Sequence, residues 1–251
     1  MVLGKALKIS IVIAVLDSHK VVIRQLRHFK KMPLPDTVEL VLVDDGSDPP
    51  LKFTPGIENF SILYTNDKRP WTQGLARNIG ARYARGEYLL FTDIDHIITK
   101  EVINAVLKYD GYKMVFPRYF GIFDRNGNIL SDASTILKFG LDPDRYKRRG
   151  LSGGHHGNTY AIRRDIFFEL GGYDPRFCTQ KFHMGGNYMS EERDFNRKCA
   201  LLRSRDTNYT EVEGPKIYCY PVSKFRKDKD NNPFGLFHHL SLEQVPQPDK
   251  R

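Results

Sequence analysis

Two rhythms of apolar residues alternate through the first hundred positions. Ile9–Val15 is a continuous, largely β-branched run, and Val38–Val43 (VELVLV) is a second apolar run. Between them, Val21–Phe29 sets its apolar residues at helical spacing. Phe60–Tyr64 predicts a short strand, Thr72–Tyr83 a helix rich in Ala and Arg, Glu87–Thr92 (EYLLFT) another strand stopped by Asp93, and Glu101–Leu107 a helix. Short runs that are apolar on both faces suit strands buried on both sides, and the helical stretches between them suit the covering layers. The β-α-β-β-α-β-α order therefore predicts an α/β domain, with a mainly parallel central sheet flanked by helices.

The second half is less regular. Lys113–Arg118 reads as a strand, and residues 119–151 as an irregular insertion holding the turn Asp124-Arg125-Asn126-Gly127 and the basic stretch Asp144–Arg149. Asn158–Ile162 predicts a strand leading into a helix at Arg164–Leu170, which Gly171-Gly172 ends. Ser190–Leu202 predicts a helix with Ser190 as its cap. The 251 residues suit one domain over 1–240, with halves 1–110 and 111–240, and a polar, proline-containing flexible tail at 241–251.

In open α/β sheets, ligands bind beyond the carboxyl ends of the strands. Asp44-Asp45 and Asp93-Ile94-Asp95 each follow directly on a predicted strand, so both acidic clusters are expected to face one crevice. Carboxylates at Asp93 and Asp95 can grip one hard cation, Mg2+ or Mn2+. A nucleotide diphosphate can supply further ligands, and the cation then neutralises the leaving phosphate. Alone, such a tripeptide is most often a solvated turn; its place after an apolar strand gives it weight. Asp44-Asp45-Gly46-Ser47-Asp48 can accept hydrogen bonds from a ribose hydroxyl or a base N–H, and it is equally a set of turn formers. In Gly74–Gly80 small residues let a helix approach the sheet. Arg77 can offer its guanidinium to phosphate, or belong to an amphipathic helix with exposed arginines.

Charge adds a constraint on partners. Lys and Arg number 39 against 30 Asp and Glu, a formal charge of +9. That surplus favours a nucleotide diphosphate, an acidic glycan, peripheral contact with a membrane surface or nucleic acid, against a merely solubilising surface. Cys178, Cys199 and Cys219 are odd in number and widely spaced, with no CxxC pair, which suggests neither a zinc site nor a disulfide framework and fits a reducing compartment. The run Ile9–Leu16 is too short to span a bilayer and no small-residue cleavage site accompanies it, so a cytoplasmic location is expected.

Four segments occur in order: SIVIAVLDS at Ser10–Ser18, VELVLVDDGSD at Val38–Asp48, GLARNIGARYARGEYLLFTDID at Gly74–Asp95 and NTYAIRRDIFFELGGYDPRF at Asn158–Phe177. Together they resemble the family 2 glycosyltransferases of the GT-A fold, over roughly Lys8 to Leu202. The resemblance implies that Val15, Asp17, Asp44 and Asp45 hold the nucleoside and that Arg77 approaches the diphosphate. Asp93 and Asp95 would sit at the ribose and the metal, with Ile94 between them also contacting the nucleotide. The family's acidic segment at a helix start reads Glu191-Glu192-Arg193-Asp194-Phe195 here, making Glu192 the base, Glu191 its alternative and Asp194 an acceptor-side residue. The implied reaction is a single, inverting displacement from a nucleotide-sugar donor, with uridine diphosphate as carrier, to a hydroxyl of a glycan, lipid-linked or protein acceptor.

Some features depart from the commonest pattern. His96 follows Asp95 where many relatives carry another acid. No QxxRW segment is present, which disfavours a processive synthase. Gly153-Gly154-His155-His156-Gly157-Asn158 and Met184-Gly185-Gly186 resemble segments of galactosyl- and N-acetylgalactosaminyl-transferases, some of which complete the metal site with a later histidine. His238 or His239 would take that part, and His155 and His156 would face acceptor or phosphate. Trp71, Tyr119, Phe120, Tyr173 and Phe182 either stack on a sugar or fill the core. A sugar-nucleotide-forming nucleotidyltransferase would need a glycine-rich basic loop after the first strand, where Val15-Leu16-Asp17-Ser18-His19 stands. A non-catalytic binder of nucleic acid or acidic glycan would not need these acidic and basic motifs in register at strand ends.

Overall fold

A computed structural model of the chain describes residues 6–69, 72–123, 128–138, 143, 155–177, 182–184 and 187–219. The first half runs β1 (Ile9–Val15), α1 (His19–Lys31), β2 (Val38–Asp44), β3 (Phe60–Tyr64), α2 (Gln73–Tyr83), β4 (Tyr88–Asp93), β5 (His96–Ile97) and α3 (Lys100–Leu107). The second runs β6 (Lys113–Phe120), β7 (Ile122–Phe123), β8 (Ile129–Leu130), α4 (Ala133–Lys138), β9 (His155–Arg163), α5 (Arg164–Glu169), β10 (Phe182–Met184), β11 (Asn187–Met189), α6 (Glu191–Arg205), β12 (Glu211–Glu213) and β13 (Ile217–Cys219).

The expected sheet is correct in its first half and mixed beyond it. Strands lie in the order β3-β2-β1-β4-β9-β6-β13-β5, with β12 also on β6. From β3 to β4 every pairing is parallel. The long strand β9 then lies antiparallel between β4 and β6. Helix α3 carries the chain to β6, two places from β4, and β9 enters the gap from the opposite direction. An apolar pattern specifies burial but not strand direction, so the sequence could not show this. The stretch expected to be irregular holds the β7–β8 hairpin and the short helix α4.

Alternation along the strands divides the core into two layers. Ile9, Ile11, Ile13 and Val15 pack with Val22, Leu26 and Phe29 of α1 and Val102, Ile103 and Val106 of α3. Val12 and Ala14 face the other way, onto Ala76 and Ala81 of α2, Ile166 and Phe167 of α5 and Phe195 of α6. Gly80 keeps α2 close to the sheet, since a Cβ there would lie 2.4 Å from Val12 Cγ1. Helix α5 ends where expected: Gly171 N–H donates to the Phe168 carbonyl and Gly172 N–H to that of Phe167, the paired bonds of a Schellman motif. Ser190 caps α6, its hydroxyl accepting from Arg193 N–H (3.3 Å).

Candidate active site

The parallel register brings Val15, Asp44 and Asp93 to one edge of the sheet: Val15 pairs with Asp44, and Ala14 with Asp93. Asp93 is the last residue of β4 rather than the residue that stops it. The edge is organised by polar groups reaching in from helices. Gln25 of α1 donates from Nε2 to the carbonyls of Ile94 (2.9 Å) and His96 (2.6 Å). His28 Nε2 meets the Ile98 carbonyl at 2.8 Å. These two buried side chains hold the turn after β4 in place.

Asp93 is the centre of the site. Its Oδ1 accepts from Gln73 Nε2 (2.8 Å) and is ion-paired with Arg77 Nη2. Arg77 is fully buried, and its guanidinium lies 5.7 Å from the centre of the Tyr173 ring. Burial opposes the charge on Arg77, but Tyr173 and Asp93 outweigh it and hold the group protonated. Burial likewise pushes the Tyr173 phenol up to about 12, and its hydroxyl meets that of Tyr160 at 2.8 Å. Asn78, the neighbour of Arg77, donates to the Tyr173 carbonyl (2.8 Å) and accepts its N–H (3.0 Å). The Ala76-Arg77-Asn78 segment of α2 is thereby locked to the segment that follows α5. Tyr173 is a core support beneath Arg77, and Phe120 also belongs to the core. Trp71 lies outside the described residues, as does the side chain of Phe182.

Asp93, Asp95 and His96 are all buried, and one ligand atom from each lies within 4.8 Å of the others. Two carboxylates and an imidazole on one strand-end turn fit a divalent cation, the carboxylates favouring Mg2+ or Mn2+. Sequence reasoning noted His96 only as a departure; its adjacency to Asp95 was the available signal. His238 and His239, expected to complete such a site, lie outside the described residues. His96 Nδ1 also meets Thr159 Oγ1 of β9 at 2.6 Å, so the neighbouring strand helps orient the ring.

The acidic pair after β2 divides its work. Asp44 accepts from Ser47 N–H (2.8 Å) and Leu51 N–H (2.7 Å), so its carboxylate shapes the loop. Asp45 accepts from Thr72 (2.8 Å) and Thr65 (3.3 Å), and burial raises its pKa. Asp17 takes a left-handed backbone, φ 46°, and accepts from Asp48 N–H (2.9 Å), joining the loops after β1 and β2.

Glu192 stands in the first turn of α6, close enough to Asp93 and Arg77 to feel both charges. Burial raises its pKa first, then Asp93 and Glu191, against Arg77 and a hydrogen bond from Gly157 N–H. A Cβ on Gly157 would lie 1.9 Å from Glu192 Oε1, so only glycine lets β9 approach this carboxylate so closely. Gly157→Ala is expected to lower kcat about 10–100-fold by displacing the carboxylate. The clash falls on a movable side chain, so melting temperature should change little; steady-state kinetics beside a thermal melt checks both. Glu191 lies beside Glu192 and acts on Arg77. Asp194 is turned into its own helix, where Arg197 Nη2 lies at 3.3 Å and Lys198 Nζ at 3.1 Å. His155 and His156 open β9, next to Gly157.

The family model for glycosyl transferase family 2 matches residues 10–171. The chain belongs to this family. Its curated relatives include an uncharacterized glycosyltransferase of Haemophilus influenzae, 30% identical over 111 residues, which are 40% of this chain and 42% of the relative. Another is the poly(ribitol-phosphate) beta-N-acetylglucosaminyltransferase TarS of Staphylococcus aureus, 34% identical over 104 residues, 39% of this chain and 18% of that protein. The match thus spans less than half of either relative. Among solved structures, residues 1–349 of TarS align with a TM-score of 0.53 at 19% identity, over 86% of this chain and 61% of that one. The Pyrobaculum calidifontis mannosyltransferase PcManGT, in complex with GDP-Man and Mn2+, aligns with a TM-score of 0.51 at 15% identity, over 88% and 58%. These likenesses show the GT-A fold. Membership of a glycosyltransferase family favours that activity over the nucleotidyltransferase and the purely binding readings. No described helix of this family 2 enzyme is long and apolar enough to cross a membrane.

Proposed function

We propose that this glycosyltransferase moves a sugar from a nucleotide-diphosphate donor to an acceptor hydroxyl in one inverting displacement, with Glu192 as general base. The carrying observation is that the Glu192 carboxylate lies against Gly157 of β9, whose N–H orients it, within range of the charges of the Asp93–Arg77 pair. In this reading the loops around Asp17 and Asp45 receive the nucleoside, Asp44 having shaped the second of them. Uridine is the base favoured by the family resemblance.

Asp93, Asp95 and His96 would hold a divalent cation, whose chemistry is to neutralise charge on the leaving diphosphate. Arg77 adds fixed positive charge beside the same group. Among the described residues its Nε and Nη1 find no hydrogen-bond partner, and because the group is fully buried its charge would act on the diphosphate through space. Glu192 takes the acceptor proton as the hydroxyl oxygen attacks, and its raised pKa makes it a better base at neutral pH than an ordinary glutamate. His155 and His156, entering β9 beside the base, are assigned to the acceptor side, whereas Asp194 works as a positioning residue for α6.

Calorimetric titration with UDP and GDP, with and without Mn2+, tests the donor and metal assignments. Binding of one nucleotide is expected, strengthened at least tenfold by Mn2+ in the wild type and not in Asp95→Ala. A well-folded protein that binds no nucleotide diphosphate would overturn the reading.

A further inference from the structure

Helix α1 carries no acidic residue, and its outward positions fall on a single face. They are Lys20, Ile23, Arg27, Lys30 and Lys31, while Val21, Val22, Leu26 and Phe29 are turned into the core. Four of these five outward residues are cations and the fifth is aliphatic. Leu16, just before the helix, is 53% exposed, and Ile23 is 37% exposed. Helix α4 packs on the same core layer through Ile136 and exposes Leu137, at 60%, beside Lys138. The β7–β8 hairpin ties the two regions together, since Lys31 Nζ donates to Asn128 Oδ1 (2.6 Å) just before β8. One outer layer of the molecule therefore mixes cationic and bare aliphatic side chains.

We infer that the outer face of α1, extended by Leu16 and the α4 region, docks on an anionic lipid surface. Cations alone would suit any polyanion. The aliphatic groups among them choose the bilayer: Leu16, Ile23 and Leu137 can enter the boundary between headgroups and acyl chains while the long cationic side chains reach anionic headgroups. A nucleic acid offers no apolar phase for them, and among the described residues the outward positions of α1 and α4 include no aromatic side chain for base stacking. Leu16 leads from β1 directly into Asp17, so a docked enzyme would hold the rim of its crevice next to the lipid surface. The inference rests on surface chemistry alone and stands independently of the donor and base assignments.

Sedimentation with vesicles tests it, using the full chain. Vesicles of phosphatidylglycerol and phosphatidylcholine in equal parts are expected to pull the protein down at physiological salt, and pure phosphatidylcholine vesicles are not. The triple charge reversal Lys20→Glu/Arg27→Glu/Lys30→Glu should reduce partitioning at least tenfold, since each cation contributes about fivefold at an anionic surface. Ile23→Ser/Leu137→Ser, which keeps every charge, should also weaken it. All five positions are exposed, and a thermal melt of each variant beside the wild type separates lost docking from lost folding. Failure of the wild type to sediment with anionic vesicles would overturn the inference. So would unchanged sedimentation of the charge-reversed variant, or tighter retention on single-stranded RNA than on the vesicles.

Discussion

Glu192→Gln is expected to lower kcat by about 10²–10⁴-fold, the range for removal of a general base, with donor affinity within a few-fold of wild type. The amide keeps the shape of the side chain and still offers an oxygen to Gly157 N–H, so the change is confined to proton uptake. The pH profile adds a second readout. Burial, then Asp93 and Glu191, raise the pKa of Glu192, and the base works only when ionised. In the wild type kcat/KM should therefore rise with pH through a value above the ordinary carboxylate range, and Glu192→Gln should lose that limb. A cation at Asp93 would offset that residue's part but not the larger effect of burial. Stability should move the opposite way. A carboxyl whose pKa is raised by folding binds its proton more tightly in the folded state, so its contribution is greatest in acid and falls as pH rises from the unfolded to the folded pKa. At neutral pH the ionised Glu192 costs stability, and metal-free Glu192→Gln should melt slightly higher than wild type. A variant with full activity, or one that melts much lower, would show that Glu192 is structural.

Asp93→Ala should have the other large effect, on stability as well as turnover. It leaves Arg77 fully buried against the Tyr173 ring with its ion-pair carboxylate gone, while the charges of Glu191 and Glu192 still act on it. Stranding one member of a buried pair costs about 3–5 kcal/mol, or a fall in melting temperature of roughly 10 °C for a chain of this size. The double variant Asp93→Ala/Arg77→Met removes the stranded charge and should recover most of that loss. Neither variant should bind nucleotide diphosphate as the wild type does. Equal melting of single and double variants would mean that the pair does not hold the site together. Thermal melts of the metal-free proteins, paired with nucleotide titration, separate the two roles of Asp93.

Much of this was legible because the pattern and the chemistry coincide at strand ends. The runs Ile9–Val15 and Val38–Val43 located β1 and β2 because strands buried on both faces leave little choice of residue. The runs Val38–Val43 and Glu87–Thr92 also located the site, since Asp44 and Asp93 directly end them. Direction and partnership were not legible. Nothing in Asn158–Ile162 tells that β9 runs antiparallel between β4 and β6, because that depends on where the chain has been before. The supports of the site were hidden for a related reason. Gln25 and His28 fall on the buried side of α1 among Val21, Val22 and Phe29, and a polar residue on an apolar stripe was a signal there to be read. What they bond lies about seventy residues away in sequence. Gly157 reads as one glycine among several until the carboxylate beside it is placed in space.

The place of β9 in the sheet also sets an order of events during synthesis. Strands β1 to β4 are complete by Asp93 and can pair among themselves, yet the far edge of β4 must wait for residues 155–163. Strand β6 leaves the ribosome earlier but cannot settle, because its neighbour on that side is also β9. For that interval the nascent chain carries an open apolar edge, YLLFTD, of the kind that recruits strands from other chains. A ribosome stalled before residue 155 would thus release an aggregation-prone fragment, and slow translation across 113–154 would lengthen the period in which a chaperone is needed.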